Sequence, residues 1–137
     1  AAALERLEIQ NEQVIPLNWM LPAPAQGAIM VVCKSDDTHI AQICQTINCD
    51  IAAKEVAVER TFLRTLLGGC ATPIAASAKI VDDIIEFKGN VLAENGSNKF
   101  ELNLQFSTSS YEQAGVLAAQ EILKNGATAI IKNFTLK

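Results

Sequence analysis

The chain has 137 residues, of which half are hydrophobic and 19% are charged, and its formal net charge is −4. This composition is typical of a globular protein with one ordinary core and excludes an intrinsically disordered chain. No basic stripe interleaved with aromatic residues is present, which argues against a nucleic-acid partner. No apolar run approaches the roughly 18 residues of a membrane span, so we expect no membrane partner either.

Cysteine usage indicates free thiols in a reducing compartment. The four cysteines are Cys33, Cys44, Cys49 and Cys70, and no two of them are spaced C-x-x-C. Because His39 is the only histidine, the sequence predicts no metal site. Without a secretory signal a disulfide framework is not expected, so we predict a cytoplasmic protein.

The first 34 residues lack the sequence pattern of an independently folded domain. Residues 1–8 are typical of the last turns of a helix, and residues 11–24 form a proline-punctuated connection. The continuous apolar run Ala28–Cys33 predicts a strand buried on both faces, which needs a partner on each side. The chain also opens without an initiator Met. We therefore expect residues 1–34 to be a remnant of preceding domains, cut from a longer protein.

Two helices are predicted next. Ser35-Asp36-Asp37 is typical of a helix N-terminus, where the helix dipole favours acidic residues, and it begins a connecting helix over residues 35–48. A second helix extends to about Leu67, and we expect its Arg60 to pair with an acidic neighbour. The core positions predicted for this second helix are Val56, Val58, Phe62, Leu63, Leu66 and Leu67.

Three strand-like runs follow the helices. Their approximate bounds are Ile74–Val81, Ile84–Leu92 and Phe100–Phe106. The last of them alternates apolar and polar residues and is the clearest half-buried strand in the sequence. Asp82-Asp83 and Asn95-Gly96 are turn signals between the runs, so a three-stranded antiparallel meander is predicted.

A final helix completes the predicted domain. It is capped by Ser109 or Ser110, covers Tyr111–Lys124 and ends at Asn125-Gly126, and Ala127–Ile131 is expected to form a short strand or tail. Residues 49–137 are therefore predicted to be an α+β domain with helices on one face of the sheet.

One segment has the pattern of a candidate functional site. A helix-like run ends in Gly68-Gly69, Cys70 follows at once, and Pro73 comes three residues later. A glycine pair stops a helix because glycine adopts left-handed backbone angles at little cost, and it would present one thiol at a fixed point as a covalent anchor. The alternative from spacing alone is a helix end followed by a small buried cysteine.

Three segments resemble, in amino-acid sequence, motifs of the porphobilinogen deaminase (hydroxymethylbilane synthase) family. The string ERTFLRTLLGGCATPI, which ends at Ile74, is similar to the cofactor-attachment segment of that family. Met20–Ala28 resembles the family's L-P-A-x-G-Q-G-A stretch, and Ala2–Leu7 resembles its A-G-L-x-R-L block. The blocks occur in family order over the whole chain, but they match the C-terminal part of the enzyme. The departures are Ala3 and Ala25 in place of Gly, and Val32 in place of Glu.

The resemblance implies a function and a cofactor. Cys70 would carry a dipyrromethane through a thioether, as a primer to which four porphobilinogen units add with loss of ammonia. Gly68 and Gly69 would let the anchoring loop shift as the chain of pyrroles grows. The family's C-terminal domain is also a three-stranded antiparallel sheet with helices, in agreement with the pattern of residues 49–137.

Three further residues are candidate cofactor contacts on the same resemblance. Arg6 matches the family arginine that would bind a pyrrole carboxylate, and its alternative role is a solvated helix residue. Gln26 and Gly27 would form a backbone-exposing turn near the cofactor, and the alternative is a simple turn into a strand. The partners implied are porphobilinogen, the growing oligopyrrole and the missing N-terminal domains.

Most of the active site is expected to lie outside these 137 residues. Pyrrole condensation needs a carboxylate that stabilises positive charge, and the family supplies it from its N-terminal domain. The acidic pairs Asp36-Asp37 and Asp82-Asp83 are predicted to be cap and turn residues, so we expect no catalytic residue here and an inactive isolated chain. Two rival hypotheses remain: a non-enzymatic α+β binding domain with a structural Cys70, and a regulatory thiol at Cys70.

Overall fold

The structure is a computed structural model that describes residues 2–9, 15–66 and 72–135. Five α-helices and three strands are found in these ranges. In chain order they are α1 (Ala2–Arg6), α2 (Thr38–Thr46), α3 (Asp50–Thr65), β1 (Ile74–Val81), β2 (Ile84–Leu92), β3 (Lys99–Ser107), α4 (Tyr111–Ile122) and α5 (Thr128–Thr135). The predicted α+β class is confirmed.

The three strands form the antiparallel meander that the sequence predicts. Their order is β1-β2-β3, with Val81 opposite Ile84 and Leu92 opposite Lys99. Asp82 and Asp83 make the first turn with φ of 48° and 63°, which suits the twist of a two-residue hairpin. Because a two-residue turn fixes the pairing of its flanking strands, this turn also sets which face of β2 is buried.

One face of the sheet packs against α3 and α4, and this layer is the core. Phe62 on α3 meets Phe87 on β2 edge to face, with ring centroids 5.0 Å apart. The opposite face is open and carries polar side chains such as Lys79, Glu86 and Lys88. The fully buried large side chains of the core are Phe62, Phe87, Leu66, Ile85, Ile122, Val58 and Val91.

The core predictions for α3 are confirmed at most positions, and the ion pair expected of Arg60 is not made within the described residues. Val58, Phe62 and Leu66 are buried and Leu63 is half-buried against the core, whereas Val56 is half-buried outside the core. Leu67 lies outside the described residues. Arg60 is exposed and has no ion pair within the described ranges, where the ion pairs are Lys99–Glu101 and Lys124–Glu121. The α3 surface that bears Arg60 faces away from the core, so no buried acid is brought to it.

The strand expected over Ala28–Cys33, as part of the preceding domains, does not form within the described chain. Residues 28–34 are irregular, and Ile29 is 95% exposed. An apolar run becomes a buried strand only where other strands supply hydrogen bonds on both sides. In the described part of the chain the sheet ends at β1 and β3 and offers this run no place.

The last segment is helical, which corrects the strand or tail expected at Ala127–Ile131. Gly126, with φ of 113°, breaks the helical run after α4, and α5 begins at Thr128. Ala127, Ile130 and Ile131 are all buried in the core. Their spacing of three and four residues is helical, and it aims one face of α5 inward. None of the helices in the described ranges is long and apolar enough to cross a membrane.

Candidate functional site

The segment Pro22–Gly27 lies against the outer edge of β1. The N–H of Ala76 donates to the carbonyl oxygen of Pro22 over 3.1 Å. This bond uses a strand donor that has no partner inside the sheet, as edge strands require. The block that carries Gln26 and Gly27 is thereby attached to the domain that follows it.

Glu59 on α3 makes a second attachment. Its Oε2 accepts from the N–H of Ala25 at 2.6 Å, and its Oε1 accepts from the N–H of Ala78 at 2.8 Å. One carboxylate therefore joins α3, β1 and the Pro22–Gly27 segment. Hydrogen bonds to an ionised acceptor are shorter and stronger than neutral ones, which fits these distances.

Gln26 and Gly27 form a tight turn, as the sequence predicts. The N–H of Gln26 donates to the carbonyl oxygen of Ala23 at 3.0 Å, and Gln26 Oε1 accepts from the N–H of Ala23 at 3.1 Å. Gly27 has φ of 88°, a value that suits glycine, and open space surrounds the position where a side chain would begin. The backbone at Gly27 is therefore accessible to a ligand.

The electrostatics of Glu59 reflect burial. Burial raises the pKa of the Glu59 carboxyl above its ordinary 4.5, the hydrogen bonds from Ala78 and Ala25 oppose this rise, and the charge of Glu55 adds to it. Glu55 lies one helical turn earlier, and its Oε1 accepts from the N–H of Ile80 at 2.8 Å. Two acidic side chains of α3 therefore accept hydrogen bonds from N–H groups at the outer edge of β1.

A groove of about 500 Å³ opens beside the turn. The groove is lined by Ala25, by residues 28–31 and by residues of α2, of α3 and of the connection between these helices. Most of the lining is apolar, and Arg60 supplies a cation to it. No group of three or more metal-ligating side chains occurs among the residues that the structure describes.

The residues predicted from sequence fall into three groups. Cys70, Gly68 and Gly69 lie outside the described residues, in the connection between α3 and β1. Gln26 and Gly27 are held together beside β1. Arg6 is exposed at the end of α1 and makes no hydrogen bond or ion pair with another described residue, so the structure does not bring it to the turn.

Glu59 is the residue that sequence reasoning missed. Its signal was present, because Glu55 and Glu59 are four residues apart on one helix face. Like charges at that spacing destabilise an isolated helix. Such a pair indicates that something outside the helix uses the carboxylates.

Comparison with families of known proteins gives two matches, one for each half of the chain. Residues 53–124 match the family model described as "Porphobilinogen deaminase, C-terminal domain". Residues 1–42 match the model described as "Porphobilinogen deaminase, dipyromethane cofactor binding domain". The first match covers α4, the sheet and most of α3, and the second covers α1 and the Gln26-Gly27 turn.

Individual relatives carry the same name. The chain is 34% identical over 136 residues to a porphobilinogen deaminase of Macrococcus caseolyticus, 33% over 135 residues to that of Campylobacter lari, and 35% over 136 residues to that of Halalkalibacterium halodurans. Each alignment covers 96% of this chain. The chain itself spans 43%, 44% and 43% of those three relatives.

Proposed function

The chain belongs to the porphobilinogen deaminase family, and from that premise we propose that it is the C-terminal part of a hydroxymethylbilane synthase. Such an enzyme is a transferase of tetrapyrrole biosynthesis that condenses four porphobilinogen units into a linear tetrapyrrole with loss of ammonia. Its partners are porphobilinogen, the growing oligopyrrole and the N-terminal domains of the same enzyme. We place it in the reducing cytoplasm, a proposal supported by the free thiols of Cys33, Cys44 and Cys49.

One observation carries this proposal: both family blocks occur in one chain and are attached to each other in the structure. The turn at Gln26-Gly27 belongs to the match over residues 1–42, and β1 belongs to the match over residues 53–124. Pro22 and Glu59 hold the one against the other. A structural domain with an incidental cysteine gives no reason for this arrangement of a ligand-accessible turn beside the domain with Cys70.

The proposed cofactor is a dipyrromethane bound as a thioether to Cys70. When bound, it supplies a primer that stays attached while porphobilinogen units are added. A thioether suits this role because it resists the hydrolysis that a thioester undergoes. Among the described residues, the open backbone at Gly27 fits the close approach of such a group, and Gln26 and Arg6 are the further contacts that we propose.

The structural roles of the described acidic residues support the assignment of the catalytic carboxylate to the missing domains. Asp37 caps α2, where its Oδ1 accepts from the N–H of Ile40 at 3.0 Å. Asp82 and Asp83 form the β1–β2 turn, and Thr108 donates to the carbonyl oxygen of Asp83. These acids have structural roles, so we propose that the catalytic carboxylate comes from the N-terminal domains. The 137-residue chain alone should then form no bilane from porphobilinogen.

The experiment that tests the proposal is a chimera with its N-terminal half taken from the Macrococcus caseolyticus relative. We expect the purified chimera to carry a two-pyrrole adduct on Cys70, found by intact mass, peptide mapping and a colour test for pyrroles, and to produce bilane. Cys70→Ser should lose the adduct and the activity.

Cys44→Ser and Cys49→Ser are matched controls, because both thiols belong to the same chain and neither lies in the Gly-Gly-Cys motif. Both variants should keep the adduct. A folded chimera with an unmodified Cys70 would show that Cys70 is not a cofactor anchor. Ready oxidation of Cys70 without any pyrrole would favour the regulatory-thiol hypothesis.

A further inference from the structure

The outer edge of β1 is covered by acceptors from three parts of the chain. Alternate N–H groups of this strand donate away from the sheet. The pairs are Ile74 with the carbonyl oxygen of Thr72, Ala76 with that of Pro22, Ala78 with Glu59, and Ile80 with Glu55. The carbonyl oxygens of Thr72 and Pro22 and the carboxylate of Glu55 each join β1 to one segment. Glu59 differs because its carboxylate also reaches a second segment, at the N–H of Ala25.

We propose that the Glu59 carboxylate is a positioning group that fixes the Gln26-Gly27 turn relative to the domain that carries Cys70. The inference deepens the proposed function, on which the assignment of these three residues to the cofactor rests. Glu59 acts through the turn, since its oxygens are engaged by the backbone N–H groups of Ala25 and Ala78.

The rigidity of α3 supports this role. Val58 and Phe62, on either side of Glu59, are fully buried, so the helix is fixed to the sheet at this point. Both carboxylate oxygens are used, one on each neighbouring element, which leaves the side chain little freedom to rotate. The connection that contains Cys70 runs from α3 to β1, the two elements that hold Glu59.

The turn has no other described polar contact that performs this function. Its own hydrogen bonds, between Ala23 and Gln26 and between Ala25 and Ala28, give it shape but do not place it on the domain. The bond between Ala76 and Pro22 is a single polar attachment point. The bond from Ala25 to Glu59 is the second point, and it restricts rotation of the segment about the first.

The charges around Glu59 make its ionisation observable. Glu55 is the charged group that acts on it from α3, and the Pro22–Gly27 segment contains no charged residue. Lys79 is the charged residue of β1 nearest to Ala78, and it lies on the open face of the sheet. Protonation turns one carboxylate oxygen into a hydroxyl, which removes an acceptor from one of the two N–H groups.

The test is an NMR titration of the 137-residue chain from about pH 4 to pH 8. This range extends from about the ordinary pKa of a glutamate carboxyl to well above it. We expect the amide signals of Ala25 and Ala78 to titrate with one shared midpoint above 4.5. Because the signature is seen in the unaltered chain, it does not depend on the folding of a variant.

Two isosteric variants complete the test. Glu59→Gln should abolish the shared titration and speed hydrogen exchange at Ala25 by about tenfold or more, as expected for a released segment. Glu55→Gln is the matched control: because it removes the like charge that helps raise the Glu59 pKa, the shared midpoint of Ala25 and Ala78 should move down, while hydrogen exchange at Ala25 stays unchanged. Separate midpoints for Ala25 and Ala78, or unchanged exchange at Ala25 in Glu59→Gln, would overturn the proposal. Neither measurement uses cofactor or activity, so failure here is distinct from an absent adduct on Cys70.

Discussion

Burial raises the pKa of the Glu59 carboxyl although two backbone N–H groups donate to it. Desolvation is the largest influence on this pKa, and the like charge of Glu55 acts in the same direction. The folded chain therefore holds ionised Glu59 at a cost in free energy. We interpret the cost as the consequence of using a charged acceptor, whose short hydrogen bonds fix two segments at once.

The sign of this shift predicts how stability depends on pH. Since the folded-state pKa exceeds the ordinary 4.5, folding favours the protonated form. The stability that Glu59 contributes is fully present below about pH 4.5 and is lost as the pH rises through the raised pKa. Urea unfolding of the unaltered chain and of Glu59→Gln across this window measures the effect. The difference in unfolding free energy should favour the unaltered chain most at the acid end.

Glu55→Gln provides the comparison for that experiment, because Glu55 also accepts from a β1 amide but joins only two elements. Because Glu55→Gln removes the like charge that helps raise the Glu59 pKa, the loss of stability with rising pH should be complete at a lower pH than in the unaltered chain. If the Glu59→Gln difference stayed constant across the window, the inferred direction of the pKa shift would be wrong.

At the level of elements, α3 and α4 pack unusually closely at Gly115. A methyl group at this position would collide with the carbonyl oxygen of Val58 and lie 2.8 Å from the backbone nitrogen of Phe62. Those are main-chain atoms of α3, so they cannot move aside as a side chain can. The absence of a side chain at Gly115 therefore sets the distance between the two helices that cover the sheet.

Gly115→Ala tests this packing because two effects of opposite sign compete. Helix propensity alone would stabilise the variant by roughly 0.5–1 kcal/mol. Overpacking against a rigid backbone costs typically about 1–3 kcal/mol, so we expect a net loss. Gln120→Ala, on the exposed side of the same helix, should change stability by less than about 0.5 kcal/mol. A Gly115→Ala chain that unfolds at higher urea concentration than the original would refute the close-contact account.

The elements differ in how well the sequence predicts them, and the reason is the range of the interactions that define them. The β1–β2 turn and β3 are predicted because turn chemistry and alternation are local signals. Ala28–Cys33 is not, since a strand needs partners that no local pattern supplies. Ala127–Ile131 is too short for its apolar residues to distinguish a helical repeat from a strand repeat. The burial of Ile130 in the structure decides between them.

The candidate site divides in the same way. Gln26-Gly27 is recognisable as a turn from its residue types. The role of Glu59 depends on the N–H groups of Ala25 and Ala78, which are 34 and 19 residues away in the sequence. Only the fold brings them to one carboxylate. Sequence reasoning therefore identified the turn and missed the residue that places it.

On the scale of the whole molecule, the described chain carries a large uncovered apolar surface. Ile29 is 95% exposed and Val32 is 75% exposed, next to Met30 and Val31, which are also exposed. Isolated exposed apolar residues are normal on a protein surface, whereas a contiguous patch marks a contact region or a risk of association. The segment belongs to no element of the sheet, so its substitution leaves the core packing intact.

This patch predicts concentration-dependent association of the 137-residue chain. The double variant Ile29→Ser with Val32→Ser should lower both dye binding to apolar surface and self-association in sedimentation experiments, by about twofold or more. Its thermal midpoint should change little, since exposed side chains contribute little to folding. Leu117→Ser is the control, because Leu117 is 45% exposed on α4 and is separate from the patch. If the control reduced association as strongly as the double variant, the contact would depend on general surface hydrophobicity and not on residues 29–32.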